Sequence, residues 1–160
     1  MNTDDTDTLL VEDDPNDATL EQYALRKIVP SPHIHVVTDG AEALDFLFCT
    51  GRYAGRDINR PPKLILLDLK LPKVNGYEVL RRIRADQRTH YLPVVILTSS
   101  TEERDICESY RLGANSYIQK TVDFDKFTDA MLAIGRYWLV LNVVPSLPDS
   151  LPEPAPGGAA

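Results

Sequence analysis

The chain has 160 residues, a formal net charge of −7, 43% apolar residues and 26% charged ones. That length suits one domain with a sizeable core, and the acidic balance argues against a nucleic-acid partner, whose phosphates need a basic surface. The start, "MNTDDTDT", has neither the basic nor the apolar region of a signal peptide. No apolar run is long enough to span a bilayer. Cys49 and Cys107 are far apart, so free thiols in a reducing cytoplasm are expected, and no membrane attachment.

In chain order, Thr8 to Val11 reads as a first strand, short and rich in branched residues. Asp14-Pro15 suits a helix N-cap with proline in the first turn, opening a helix to about Lys27. His33 to Val37 is a second strand. Its two histidines share a face at period two, but no third ligand accompanies them, so they are read as lining an edge strand. Asp39 caps a helix to about Cys49, with Glu42 placed for a capping box. The stretch from Thr50 to Pro62 is a long connection with no clear motif. Leu64 to Leu67 is a third strand that runs directly into Asp68. A helix follows over Gly76 to Ala85, then a fourth strand from Val94, a helix over Glu102 to Leu112 closed by Gly113, and a fifth strand over Ser116 to Gln119. A last helix runs from Asp123 to about Leu141. Its apolar stripe comprises Phe124, Phe127, Met131, Ile134, Trp138 and Leu141. Five of the twelve prolines fall between Pro145 and Pro156, which reads as a tail without its own core.

Strands alternating with helices predict an α/β fold: a flavodoxin-like, doubly wound parallel sheet of five strands in the order 2-1-3-4-5, with five helices. The domain plan is an acidic extension over 1–7, one domain over 8–141 and a proline-rich extension over 142–160. In such sheets ligands bind beyond the carboxyl ends of the strands, where the strand order reverses. Four strands deliver Glu12 and Asp13, Asp68, Thr98 and Lys120 to that rim. Crowded carboxylates call for a hard cation, and Mg²⁺ fits because it works with phosphate oxygens. Asp68 can then attack a phosphoryl group as a carboxylate nucleophile, Lys120 can hold a phosphoryl oxygen, and Thr98 can donate its hydroxyl.

On these residues the chain resembles the receiver domains of two-component response regulators, over roughly Thr8 to Leu141. The acidic pair matches Glu12-Asp13, and the phosphoacceptor with its following motifs matches Asp68, Leu71-Pro72 and Asn75-Gly76. The switch hydroxyl matches Thr98, the switch aromatic Tyr117 and the lysine Lys120. The resemblance implies that Asp13, Asp68 and the backbone carbonyl of Lys70 hold Mg²⁺ directly, with Glu12 acting through water. It implies a signalling protein rather than an enzyme, phosphorylated by a sensor histidine kinase. Receivers usually follow the lysine with a cis-proline, whereas Thr121 stands here, which leaves the geometry of that peptide open. A Lys-Ser or Lys-Thr pair, and the ending "RYWLVLNVVP", are similar to the stand-alone phytochrome-associated response regulators, which suggests a bacteriophytochrome as the kinase. Leu139, Val140, Val143 and Val144, beside Trp138, make the last turn apolar nearly all round, the pattern of an interface, and a homodimer through this segment is expected. A phosphorylation-independent adaptor is the alternative reading. A haloacid-dehalogenase-type phosphohydrolase would need an aspartate where Lys70 stands.

Overall fold

The computed structural model describes residues 2–145. Its sheet contains β1 (Thr8–Val11), β2 (Ile34–Val37), β3 (Leu64–Leu67), β4 (Val94–Thr98) and β5 (Ser116–Gln119), all parallel, in the order β2-β1-β3-β4-β5. β1, β3 and β4 are buried along their whole length, as expected of inner strands covered on both faces. Side chains alternate between two cores. Leu9, Val11, Ile65, Leu67, Val94 and Ile96 join the core under α2 (Gly40–Phe48) and α3 (Gly76–Ala85). Leu10, Leu64, Leu66, Val95 and Leu97 join the core under α1 (Pro15–Leu25) and α5 (Phe124–Gly135). α4 (Glu103–Arg111) packs beside β5.

Asp14, Asp39, Asn75 and Asp123 cap their helices through side-chain oxygens, which satisfies otherwise unpaired N–H groups of the first turn. Glycine is required at the start of α3. The Gly76 N–H donates to the Leu69 carbonyl at 2.9 Å, and a Cβ there would lie 2.3 Å from the Asp68 carbonyl oxygen. The Asn-Gly pair thus seats α3 directly on the backbone that carries Asp68.

The structure corrects the reading of the histidines and of the last helix, and it settles two points the sequence left open. The Thr50–Pro62 connection is organised by Arg56, only 8% exposed, whose guanidinium lies 3.8 Å from the centre of the Phe46 ring and donates to the carbonyls of Phe46, Arg60 and Thr3. His33 precedes β2 and is exposed, while His35 is half-buried and stacked on Phe46; the two do not share an edge-strand environment. Among the described residues the only cis peptide is Val29–Pro30, so Lys120–Thr121 is trans. Finally, α5 is not followed by further α-helix: a π-helical segment spans Arg136–Leu141. Its wider turn breaks the three-four spacing. Phe127, Met131 and Ile134 are buried and Trp138 packs beside them, but Phe124 is 46% and Leu141 71% exposed. Leu139 also packs against its own core, leaving Val140 and Val143 outward. The tail from 146 onward lies outside the described residues.

Substituting Gly76→Ala should lower the unfolding free energy by about 1–3 kcal/mol, the usual cost of forcing a methyl into a filled space. Urea unfolding of the two proteins checks this; equal midpoints would mean that α3 can shift away from Asp68 freely.

Candidate functional site

Register brings the acidic residues together. Val11 is paired with Leu67, so the next residues, Glu12 and Asp68, emerge side by side, and the Asp68 N–H donates to the Val11 carbonyl at 3.1 Å. Carboxylate oxygens of Glu12, Asp13 and Asp68 lie within 4.8 Å of one another. Glu12 is 2% and Asp68 9% exposed, whereas Asp13 faces solvent. A donor set made only of hard carboxylate oxygens, with one open side, fits a small divalent cation such as Mg²⁺.

Thr98 ends β4, and its carbonyl accepts from the Lys120 N–H at 2.8 Å. That bond fixes where Lys120 leaves β5. The ammonium of Lys120 donates to Glu12, to Asp68 at 3.1 Å and to Asp17 at 3.1 Å, and lies 3.7 Å from Glu21. Burial works against its positive charge, but the Glu12 hydrogen bond and the charge of Asp68 more than offset it, so its pKa rises. Burial pushes the Glu12 carboxyl up, and Lys120 only partly opposes this. The lysine therefore stays charged at any physiological pH.

The expected residues Glu12, Asp13, Asp68, Thr98 and Lys120 are thus gathered at one rim. Lys70 is exposed there, its N–H 3.4 Å from an Asp68 oxygen. Tyr117 is half-buried and donates its hydroxyl to the Ser100 carbonyl at 3.1 Å. Trp138, Leu139, Val140, Val143 and Val144 belong to the other end of the chain's fold, away from these strand ends, after the last turn of α5.

Two members of the lysine's surroundings escaped the sequence reading. Asp17 and Glu21 lie on the inner side of α1, in phase with buried Ala18, Ala24 and Leu25. A glutamate at a buried helical phase was the available signal, and its meaning depended on Lys120 arriving from a strand a hundred residues later. Glu21 is completely buried, neither of its side-chain oxygens has a hydrogen-bond partner, and burial, reinforced by the charge of Glu12, pushes its pKa up to about 9.

The chain is similar to known proteins over most of its length. Residues 8–132 match the response regulator receiver domain family. A probable methanogenesis regulatory protein, FilR2 of Methanothrix harundinacea, is 38% identical over 86% of this chain and 86% of its own length. The response regulator Rcp1 of Synechocystis is 37% identical over 86% of this chain and 92% of its own, and a solved structure holds Rcp1 in a Mn²⁺-bound form. The phosphorylated cyanobacterial phytochrome response regulator RcpA superposes with a TM-score of 0.80 at 38% identity, covering 86% of this chain and 96% of that one. The bacteriophytochrome response regulator RtBRR gives 0.69 at 48% identity, with 86% and 82% covered.

Replacing Glu21 by leucine removes a buried carboxyl that has no hydrogen-bond partner while keeping most of its volume. In metal-free protein, Glu21→Leu should raise the unfolding free energy by about 1–2 kcal/mol, within the range seen when apolar groups replace buried ionisable ones. Chemical denaturation in EDTA measures it, and a loss of stability would mean that Lys120 compensates the carboxyl.

Proposed function

Since the chain belongs to the response regulator receiver family, we propose that it acts as a single-domain response regulator: Asp68 accepts a phosphoryl group from the phosphohistidine of a sensor kinase. The observation that carries this reading is the placement of the Lys120 ammonium 3.1 Å from an Asp68 oxygen, with Glu12 and Asp13 in the same acidic cluster. An Asp68 oxygen attacks phosphorus, the phosphorus–nitrogen bond to the donor imidazole breaks, and an acyl phosphate results. Lys120 is close enough to exchange a carboxylate oxygen for a phosphoryl oxygen as its partner, and its raised pKa keeps it cationic throughout. Glu12, Asp13, Asp68 and the Lys70 carbonyl would hold Mg²⁺. When bound, the metal supplies positive charge against the oxygens of the incoming group. The Thr98 hydroxyl, buried beside the site, then turns to the attached phosphoryl group. Domain limits of 8–141, with short flanking extensions, accompany this reading.

The chain is a phosphoryl acceptor in this account and not an enzyme. Its output passes through protein contacts or onward transfer to another histidine. The partner kinase is a bacteriophytochrome, a reading supported by likeness to RcpA and RtBRR, both described as regulators of phytochrome signalling. Cytoplasmic action goes with such a partner; among the described residues no helix is long and apolar enough to cross a membrane. A net charge of −7 supports the view that nucleic acid is not bound directly. A homodimer forms through the end of α5 and the segment after it. Val140 and Val143, 52% and 90% exposed, are its outward apolar residues, Trp138 and Leu139 pack inward against the α1–α5 core, and Val144 borders a hollow beside Asp7 and Lys63.

Incubation with acetyl phosphate and Mg²⁺ should add one phosphoryl group by intact mass. Asp68→Asn or EDTA should abolish the adduct, and an adduct that survives both would place the chemistry elsewhere. For the dimer, Val140→Glu combined with Val143→Glu should halve the mass measured by light scattering while the circular dichroism spectrum of the folded domain is kept; the unfolding midpoint should fall only by what association contributes. An unchanged mass would remove this segment from the interface.

A further inference from the structure

Both residues that report the state of the site are tied to Ser100. The Ser100 N–H faces the Thr98 hydroxyl oxygen at 3.4 Å, and the Ser100 carbonyl accepts from the Tyr117 hydroxyl at 3.1 Å. Ser100 itself is 8% exposed and does not hang freely in the β4–α4 loop. Its Oγ donates to Asp105 at 2.5 Å and accepts from the Glu102 N–H at 3.2 Å. The other oxygen of Asp105 accepts from the Tyr77 hydroxyl. Tyr77 follows Gly76, the residue seated on the Asp68 backbone. A continuous chain of bonds therefore runs from the first turn of α3 through Asp105 and Ser100 to Thr98 and Tyr117.

This arrangement also replaces an ordinary cap. Glu102, the N-cap residue of α4, makes no side-chain capping bond. Ser100 and Asp105 close the helix start instead, in the manner of a capping box displaced by two residues. The hydrogen bonds from Ser100 and then Tyr77 hold the Asp105 carboxyl below the usual carboxylate range, so both bonds are charge-assisted. A hollow of about 660 Å³, bordered by Lys70, Asn75, Tyr77, Ser100 and Asp105, lies alongside. It leaves the loop room to move once the bonds let go.

We infer that Tyr77 and Asp105 are positioning residues for the switch: they pin Ser100 and so hold the Thr98 hydroxyl and the Tyr117 side chain in their resting places. This inference rests on the reading of Asp68 as the phosphoryl acceptor. When Thr98 turns to a phosphoryl oxygen it gives up the Ser100 N–H, and the loop follows only if Ser100 is released from Asp105. The pin therefore weighs against phosphorylation, and loosening it favours the phosphorylated arrangement. Neither residue touches the reacting atoms.

The test uses full-length wild type, Tyr77→Phe and Asp105→Asn. Tyr77→Phe deletes a single hydroxyl and leaves the ring in place, so it should fold as wild type; Asp105→Asn keeps the shape and removes the charge. Two quantities are measured: amide hydrogen exchange of residues 99–103 in metal-free protein without phosphodonor, and the rate of single phosphoryl addition from acetyl phosphate with Mg²⁺. In both variants exchange in that segment should rise about tenfold, the size expected for losing one charge-assisted bond. Phosphoryl addition should quicken by about three- to tenfold, within the same range. Unchanged exchange would overturn the pin. Raised exchange with unchanged labelling would reduce Tyr77 and Asp105 to a helix cap and overturn their role in the switch. A wild type that takes up no phosphoryl group defeats the reading of Asp68 and the coupling with it. That failure is distinct, because exchange is recorded without any donor.

Discussion

One ammonium group holds the functional rim together. Lys120 leaves β5 and bonds carboxylates that arrive from β1, β3 and α1, so a single positive charge joins four elements. Without it, Glu12 and Asp68 would face each other nearly buried, and like charges at that separation destabilise strongly or take up protons. With it, the cluster keeps the negative charge that a small divalent cation would need. A charge held by several partners changes partners when the local charge changes, whereas one held by shape does not. The site is therefore assembled and poised by the same residue.

The rest of the scaffold divides into parts that must stay and parts that can move. Asp68 is fixed from three sides: its N–H is bonded to β1, α3 is seated against its carbonyl, and Lys120 holds its carboxylate. The proposed role of Asp68 as nucleophile would use that rigidity, because misplacement by an ångström is costly in rate. The β4–α4 loop is different. Ser99 and Thr101 are exposed, α4 buries little besides Ser109, and side-chain bonds rather than a packed core keep the loop in place. Bonds of that kind can be exchanged one at a time without opening a packed core, as the proposed switch would require.

At the far end of the molecule, the π-helical turn after α5 decides which apolar residues are spent on the domain and which are left over. Trp138 and Leu139 pack inward against the α1–α5 core, while Tyr137, Val140, Leu141 and Val143 face out. A continued α-helix would have kept Leu141 on the buried stripe. The outward apolar surface follows from a change of helical pitch and not from composition alone.

Strand order, helix positions and the rim residues were legible in the sequence because each depends on local information. A run such as Leu64 to Leu67 is buried on both faces of any sheet that covers it, and the polar residue after it must emerge at the strand's end. Helix caps such as Asp14, Asp39 and Asn75 act within three residues of themselves. The bond from Lys120 to Asp17, the burial of Glu21 beside it, the burial of Arg56 and the Tyr77–Asp105–Ser100 chain were not legible. Periodicity tells which side of a helix turns inward, but not which distant residue it will meet there. Those meetings depend on how helices pack across the sheet and on side chains as far apart as 103 positions. Local chemistry alone was enough to specify the sheet and the residues at its rim; only the packed tertiary structure decided what holds the lysine and what ties down the β4–α4 loop.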